Sequence, residues 1–358
     1  GAIARGWAAA CPDDTLALLP MSDGGDGFGP VMAGALGLEE QLVEVVDAAC
    51  QARPAAWWFD SESGQAVVET AQSNGLALLP RGRFHPFNLD TRGVGQLLLA
   101  AGQAGAAHCL TGIGGSATND GGFGMARALG WVFRDESGKP IEQWTRLDGL
   151  ALIESPTSRA WPGVTVASDV QNPLLGVDGA TWVYGSQKGM RPEDFAKADA
   201  CLGRLAKVTG ETLGSDFSAT PGAGAAGGLG FGLMAFAEAT IESGFEVFAK
   251  ATDLEAKVGE ADFVLTAEGA IDEQTLMGKG TGQVAVLCRR LGKPCIGLAG
   301  QLALGQAEVE SGKRLFWRLA TLVPDLVSEP EAMANAASHL EQLAKREGIL
   351  SRDTNFTD

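Results

Sequence analysis

Apolar positions along this chain fall into two rhythms. Short, nearly unbroken apolar runs at residues 16–19, 42–46, 108–111, 164–168, 261–266, 295–299 and 319–323 predict buried strands. Residues 55–59 and 65–69 predict a hairpin around Ser63-Gly64. Longer stretches with apolar residues three and four apart predict helices over 31–38, 94–104, 123–129, 192–208, 228–237, 283–291 and 329–345. Residues 2–10 read as the later part of a helix with no cap before it, and 352–358 as a loosely held tail. Strand and helix alternate, which predicts an α/β architecture with largely parallel sheets. No internal repeat or low-complexity linker marks a domain boundary.

Segments rich in glycine and acid interrupt this alternation. They are Met21-Ser-Asp-Gly-Gly-Asp-Gly27, Gly112-Ile-Gly-Gly-Ser-Ala-Thr-Asn-Asp-Gly-Gly122, Pro221-Gly-Ala-Gly-Ala-Ala-Gly-Gly228 and Thr266-Ala-Glu-Gly-Ala-Ile-Asp272. Glycine lets the main chain approach a ligand and turn through positive φ. Successive N–H groups there, above all at a helix start, hold phosphate oxygens, and nearby carboxylates can hold the metal that travels with a nucleotide. In open parallel sheets, ligands bind beyond the carboxyl ends of the strands. Four such segments in one chain point to phosphoryl transfer.

Each candidate residue has a plainer reading beside the chemical one. Asp23 is either a turn former or a catalytic or metal-holding carboxylate. Gly114 and Gly115 offer bare amides, Ser116, Thr118 and Asn119 offer polar groups to phosphate, and one of these residues caps the following helix. Asp120 is a candidate metal ligand or proton acceptor. Asp169 ends a strand, where it can start a turn or take the proton of an attacking hydroxyl. Glu268 and Asp272 flank Gly269 as a catalytic or metal-proximal pair, and Lys188 and Lys279 stand beside glycines as phosphate-binding cations or as solvated side chains.

The 358 residues suffice for two cores, and 45% hydrophobic content with mean hydropathy +0.06 describes a globular protein. Fifty glycines exceed the usual share of about 7% and follow no fixed period. A net charge of −17 argues against a nucleic-acid partner. It also requires metal and local lysines to reverse the field wherever an anion binds. The six cysteines form no C-x-x-C pair and read as reduced core residues, which fits the cytoplasm. No apolar run reaches the ~18 residues of a membrane span, and no signal peptide is visible. His85, His108 and His339 have no metal-ligand spacing, and the Walker and protein-kinase motifs are absent.

Taken in order, these motifs resemble the bacterial glycerate kinases of the first class. The resemblance rests on the 20–27 and 112–122 segments, Ser168-Asp-Val-Gln-Asn-Pro-Leu174, Tyr184-Gly-Ser-Gln-Lys-Gly189, the 221–228 segment and Glu268-Gly-Ala-Ile-Asp-Glu-Gln274. It implies an ATP- and Mg²⁺-dependent kinase acting on D-glycerate, with 2-phosphoglycerate as product. It further implies two α/β domains, one interrupting the other, with the active site in the cleft between them. The interrupted domain would comprise residues 1–45 and 256–358, and the inserted one 46–255. The chain departs from the family at Ser22, Asp26, Ser168, Ala267 and Ala270, the last replacing a basic residue. The family's usual first strand and Asp-Ser-Phe-Lys-Gly-type loop are not in this sequence.

Two other readings compete. A dinucleotide-dependent oxidoreductase is suggested by the glycine loop after a strand, although Ala117 breaks the G-x-G-x-x-G fingerprint. A non-catalytic, metabolite-binding relative is suggested by Ala270 and the missing first element. Oligomeric state is not written in the sequence.

Overall fold

The computed structural model describes residues 1–276, 280–304 and 315–352. Its contacts divide the chain into two compact units: a continuous one, Met21–Ala251, and an interrupted one made of Gly1–Pro20 and the chain from Thr252 onward. The first crossing lies at residue 20, where the sequence reading put it at residue 45. The physical reason is strand pairing, because residues 39–46 are hydrogen-bonded into the continuous unit's sheet. The second crossing lies at residue 251, where the sequence reading put it at 255.

The interrupted unit opens with helix α1 (Ala2–Ala10). The chain then enters the continuous unit: α2 (Phe28–Leu36), β1 (Glu39–Val46), β2 (Ala52–Asp60), β3 (Gln65–Glu69), α3 (Ala71–Asn74) and α4 (Arg92–Gln103). Next come β4 (His108–Gly112), α5 (Phe123–Ala128), β5 (Val132–Asp135), β6 (Leu150–Glu154), β7 (Gly163–Ala167), α6 (Ala180–Tyr184), α7 (Pro192–Leu213), α8 (Ala225–Ala237) and β8 (Thr240–Glu242). Helix α9 (Gly244–Thr252) leads out into α10 (Leu254–Glu260), β9 (Val264–Asp272), α11 (Glu273–Leu276), α12 (Thr281–Arg290), β10 (Cys295–Ala303), β11 (Arg318–Val323), α13 (Glu329–Ala334) and α14 (Ala336–Arg352).

The continuous unit is built on a six-stranded sheet in the order β1-β2-β3-β4-β7-β8. The β1-β2-β3 edge is antiparallel and the β3-β4-β7-β8 half is parallel. Register places Glu69, Gly112, Ala167 and Glu242 in one row across the carboxyl ends of the four parallel strands. Four connecting loops therefore start at the same level. Helix α4 buries Val94, Leu97, Leu98 and Ala101, spaced for one face, against this sheet. Helix α7 has Pro192 at its start, Glu193 and Asp194 in its first turn, and ends at left-handed Gly214. The interrupted unit has a parallel three-stranded sheet, β11-β10-β9. Its core joins Trp7 and Ala10 of α1 and the capping Cys11 to Ile296, Leu298, Leu322, Leu343 and Ala344.

Two expectations fail. Residues 16–19 form no strand, and Leu18 is exposed. An apolar run becomes a strand only with a ladder partner, which sequence pattern alone does not reveal. The single helix expected over 329–345 is two, broken at Asn335 (φ −139°, ψ 43°). The 352–358 tail lies outside the described residues beyond Arg352.

Candidate active site

The loops leaving the row of strand ends in the continuous unit pack backbone on backbone. Gly114 donates its N–H to the Gly24 carbonyl at 2.9 Å, which joins the 21–27 loop to the 112–122 loop. A Cβ at Gly24 would collide with the Ala167 carbonyl, and one at Gly244 with the Asp23 carbonyl. A Cβ at Gly115, where φ is +73°, would strike the Asp26 carboxylate. These close approaches explain the glycines at the end of β7 and at the mouth of the 112–122 loop. Gly115 is exposed and Gly114 half-buried, so their backbone faces outward from a rigid base.

Beneath that surface lies a polar layer. Ser116, Thr118, Asn119, Asp120 and Lys188 are all buried. Lys188 sits on a short 3₁₀ turn, Ser186–Lys188, closed by left-handed Gly189. Its Nζ donates to Ser116 Oγ at 3.0 Å and to the Thr118 carbonyl at 2.7 Å. Burial pulls the Lys188 ammonium down to about 7, although the Asp120 charge works the other way. Asn74 donates to Thr118 Oγ1 at 3.3 Å, and Asn119 to Thr181 Oγ1 at 2.9 Å. The side-chain oxygens of Asn74 and Asn119, with Thr70 Oγ1 and Ser22 Oγ, are buried without a hydrogen-bond partner among the described residues. Buried acceptors of this kind carry a desolvation cost that a hydroxyl-bearing ligand or ordered water offsets.

The chain's own donors surround the Asp120 carboxylate. Its Oδ2 accepts from Thr91 N (2.9 Å), Thr91 Oγ1 (2.8 Å) and Gly124 N (2.9 Å), and its Oδ1 from Gly122 N (3.1 Å). The carboxylate is fully buried and spent on tying the starts of α4 and α5 together. Burial and the nearby Asp90 push it up to about 6, against the pull of its donors. A metal at Asp120 would have to compete with these four donors for its oxygens.

Asp169 is also partly spent. Its Oδ1 accepts from Ser243 Oγ at 2.7 Å and Gly244 N at 3.0 Å, holding the first turn of α9. Asp23, beside it across Gly244, keeps an exposed carboxylate with no hydrogen bond among the described residues. Glu69 went unnoticed in the sequence. It is buried, and its two oxygens accept from Gly27 N and Gly29 N at 3.0 Å each, clamping the start of α2. The amides there are thus taken by the protein itself rather than offered to phosphate. An acid closing the apolar run Ala66-Val-Val was the available signal, because a buried carboxylate needs partners.

In the interrupted unit, Glu268 lies in β9 and is half-buried. Its Oε1 accepts from Thr275 Oγ1 at 2.7 Å and Thr281 Oγ1 at 2.5 Å. Asp272 Oδ1 accepts from Thr275 N at 3.1 Å and opens α11. Lys279 lies outside the described residues. Among the described residues no group of three or more His, Cys, Asp or Glu side chains is gathered as a metal site. Of the expected metal set, Asp23 and Asp120 belong to the continuous unit and Asp272 to the interrupted one. Mg²⁺ commonly takes only one or two carboxylates besides phosphate and water, so Asp23 or Glu268 alone is a chemically adequate donor.

Three comparisons bear on this arrangement. A family model described as the glycerate kinase family matches residues 1–350. A glycerate kinase of Halalkalibacterium halodurans is 40% identical over 357 residues, covering 98% of this chain and 93% of that protein. A glycerate 2-kinase of Escherichia coli is 36% identical over 305 residues, 84% of this chain and 80% of that one. A crystal structure from Salmonella typhimurium LT2, provisionally named glycerate kinase 2, superposes with a TM-score of 0.79 at 34% identity, covering 98% of this chain and 92% of that one.

Proposed function

The chain belongs to the glycerate kinase family, and from that premise we propose that it moves the γ-phosphoryl group of ATP to the 2-hydroxyl of D-glycerate, giving 2-phosphoglycerate. Neither the oxidoreductase reading nor the non-catalytic one finds support among relatives named as kinases. The observation that carries the proposal is Lys188, a buried cation anchored to Ser116 and Thr118 directly under the outward-facing Gly114-Gly115 backbone. In a chain of net charge −17 this is a local reversal of field where anionic phosphate has to sit.

Phosphoryl transfer asks the protein for positioning and charge neutralisation more than for covalent chemistry. The amides of Gly115 and Ser116 serve as the phosphate cradle, Gly114 fixes its edge through its bond to Gly24, and Lys188 neutralises it from below. Thr118 and Asn119 act from within the protein by shaping the loop. Asp120 acts as a positioning residue by fixing the turn that carries the cradle into α5. Asp23 has room to take the hydroxyl proton, and Asp169 steadies the chain next to it. Glu268, preset by two threonine hydroxyls, is the carboxylate of the interrupted unit suited to holding Mg²⁺, which would supply charge neutralisation. Asp272 supports Glu268 through their shared Thr275.

Free cysteines and dependence on ATP fit the cytoplasm. No described helix is long and apolar enough to cross a membrane. The test is a coupled ADP-release assay with D-glycerate, with ³¹P NMR of the product. Glycerate-dependent ADP release with the phosphate on C2 is the expected outcome. Absence of turnover overturns the activity, and phosphate on C3 overturns the regiochemistry.

A further inference from the structure

A second anion-compatible feature lies on the continuous unit, formed by residues other than those of the cradle. A cavity of about 410 Å³ is lined by Arg92, Arg127, Trp131, Phe133, Ile141 and Glu142, among others. Arg92 is the first residue of α4 and is half-buried. Its guanidinium makes no ion pair and no side-chain hydrogen bond among the described residues, and only its backbone N–H is engaged, by Asp90 Oδ1 at 2.9 Å. Arg127 lies over the Phe123 ring, 5.4 Å from its centroid, and pairs with Glu142. The Arg127 side chain is 18% exposed and the Glu142 side chain 67%, so the acid is the solvent-facing partner at the rim.

An arginine that is half out of water and unpaired is unfavourable in isolation. In a chain with 44 acidic and 27 basic residues it is also uncommon for such a group to lack a carboxylate. The Arg92 fork suits a phosphate or carboxylate. Arg127 adds a second positive charge while its own fork holds the Glu142 carboxylate and, at 3.1 Å, the Glu142 carbonyl, and Trp131, Phe133 and Ile141 add an apolar wall. The volume exceeds what a bare inorganic anion needs and falls in the range of small-molecule sites, roughly 300–1,000 Å³. We propose that the Arg92–Arg127 cavity binds a small organic anion, a phosphate or carboxylate joined to an apolar or aromatic body, at a site separate from the Gly114-Gly115 cradle. The site adjoins the Asp120 knot. Thr91, which precedes Arg92, donates twice to Asp120, and Arg127 stands in the last turn of the helix whose first amides Asp120 holds.

Calorimetric titration of the full chain with phenyl phosphate, which carries both a dianion and a ring, tests the site. The wild type is expected to bind it at least about tenfold more tightly than inorganic phosphate, because the ring adds apolar burial. Arg92→Gln is expected to weaken binding at least about tenfold, and Arg92→Lys less, because lysine keeps the charge and loses the fork. Arg92 makes few contacts, so these variants should fold. Lys188→Met is expected to leave phenyl phosphate affinity within about threefold, since Lys188 belongs to the other site. No binding by the wild type at millimolar concentration overturns the proposal. So does an Arg92→Gln variant that binds normally, or affinity lost with Lys188→Met and kept with Arg92→Gln.

Discussion

Asp120 in the continuous unit and Glu268 in the interrupted one are both acids beside glycine on a parallel-strand framework, yet their surroundings differ. Asp120 is fully buried, and four donors from Thr91, Gly122 and Gly124 fill its oxygens. Glu268 is half-buried, and the donors around it are two threonine hydroxyls on Oε1. The first carboxylate is an internal tie for backbone. The second is a preset group with capacity left for a ligand. A glycine-acid motif therefore says that backbone is tightly packed and leaves open whether the acid serves the chain or the substrate.

The comparison can be broken from either side. Lys188→Met removes the cation beneath the cradle while keeping most of its volume. It should lower kcat/KM by at least about 1,000-fold, close to 4 kcal/mol of transition-state stabilisation, and steady-state kinetics on folded protein check this. Activity near wild type would reduce Lys188 to a structural strut. Asp120→Asn should act chiefly on the fold, with a stability loss of about 3 kcal/mol, because an amide cannot satisfy four donors. Urea unfolding measures the loss, and added Mg²⁺ should not restore turnover. Full rescue by Mg²⁺ would return Asp120 to the metal.

Glu268→Gln should do the opposite. It keeps an acceptor for the threonines and loses the charge, so kcat/KM should fall about 100-fold, or about 2.7 kcal/mol, with stability nearly unchanged. Stability lost in place of activity would make Glu268 a second internal tie.

The smallest expected effect is in pH. The Asp120 pKa is raised in the fold to about 6, so its contribution to stability is present below its ordinary value and is lost as pH rises through about 6. The Lys188 pKa is lowered to about 7, so its contribution is present above its ordinary value and is lost as pH falls through about 7. Between these pH values both groups are charged and buried. Lys188→Met should thus gain stability relative to wild type on going from pH 9 to pH 6, by at least ~1 kcal/mol. Urea midpoints at the two pH values decide it, and a constant difference would refute the buried-charge account.

Legibility in the sequence followed distance along the chain. The strand–glycine loop–helix unit at 108–128 was readable because its parts are neighbours. So were Lys188 and Glu268 as candidates, since glycines flank them. What each residue touches was not readable. Lys188 meets Ser116 across 72 positions, Glu69 meets Gly27 across 42, and Asp120 meets Thr91 across 29. No local periodicity encodes such pairs. The two-stranded β5-β6 hairpin was missed for a related reason. Val132–Asp135 and Leu150–Glu154 are short and separated by a 3₁₀ turn, Trp144–Gly149, whose apolar residues blur the alternation.

The split of the chain has a consequence for biosynthesis. The continuous unit is one uninterrupted stretch, so its core can close while later residues are still being added. Helix α1 cannot do the same. Arg5 pairs with Glu341 across 336 positions and Cys11 reaches Gly348 across 337. At roughly 5–20 residues per second, the helix waits tens of seconds for its partner. Trp7, almost wholly buried in the finished protein, has no native cover throughout that interval. Residues 2–10 leave the ribosome well before the residues they pack against exist, which makes α1 a segment of the nascent chain for a chaperone to shield.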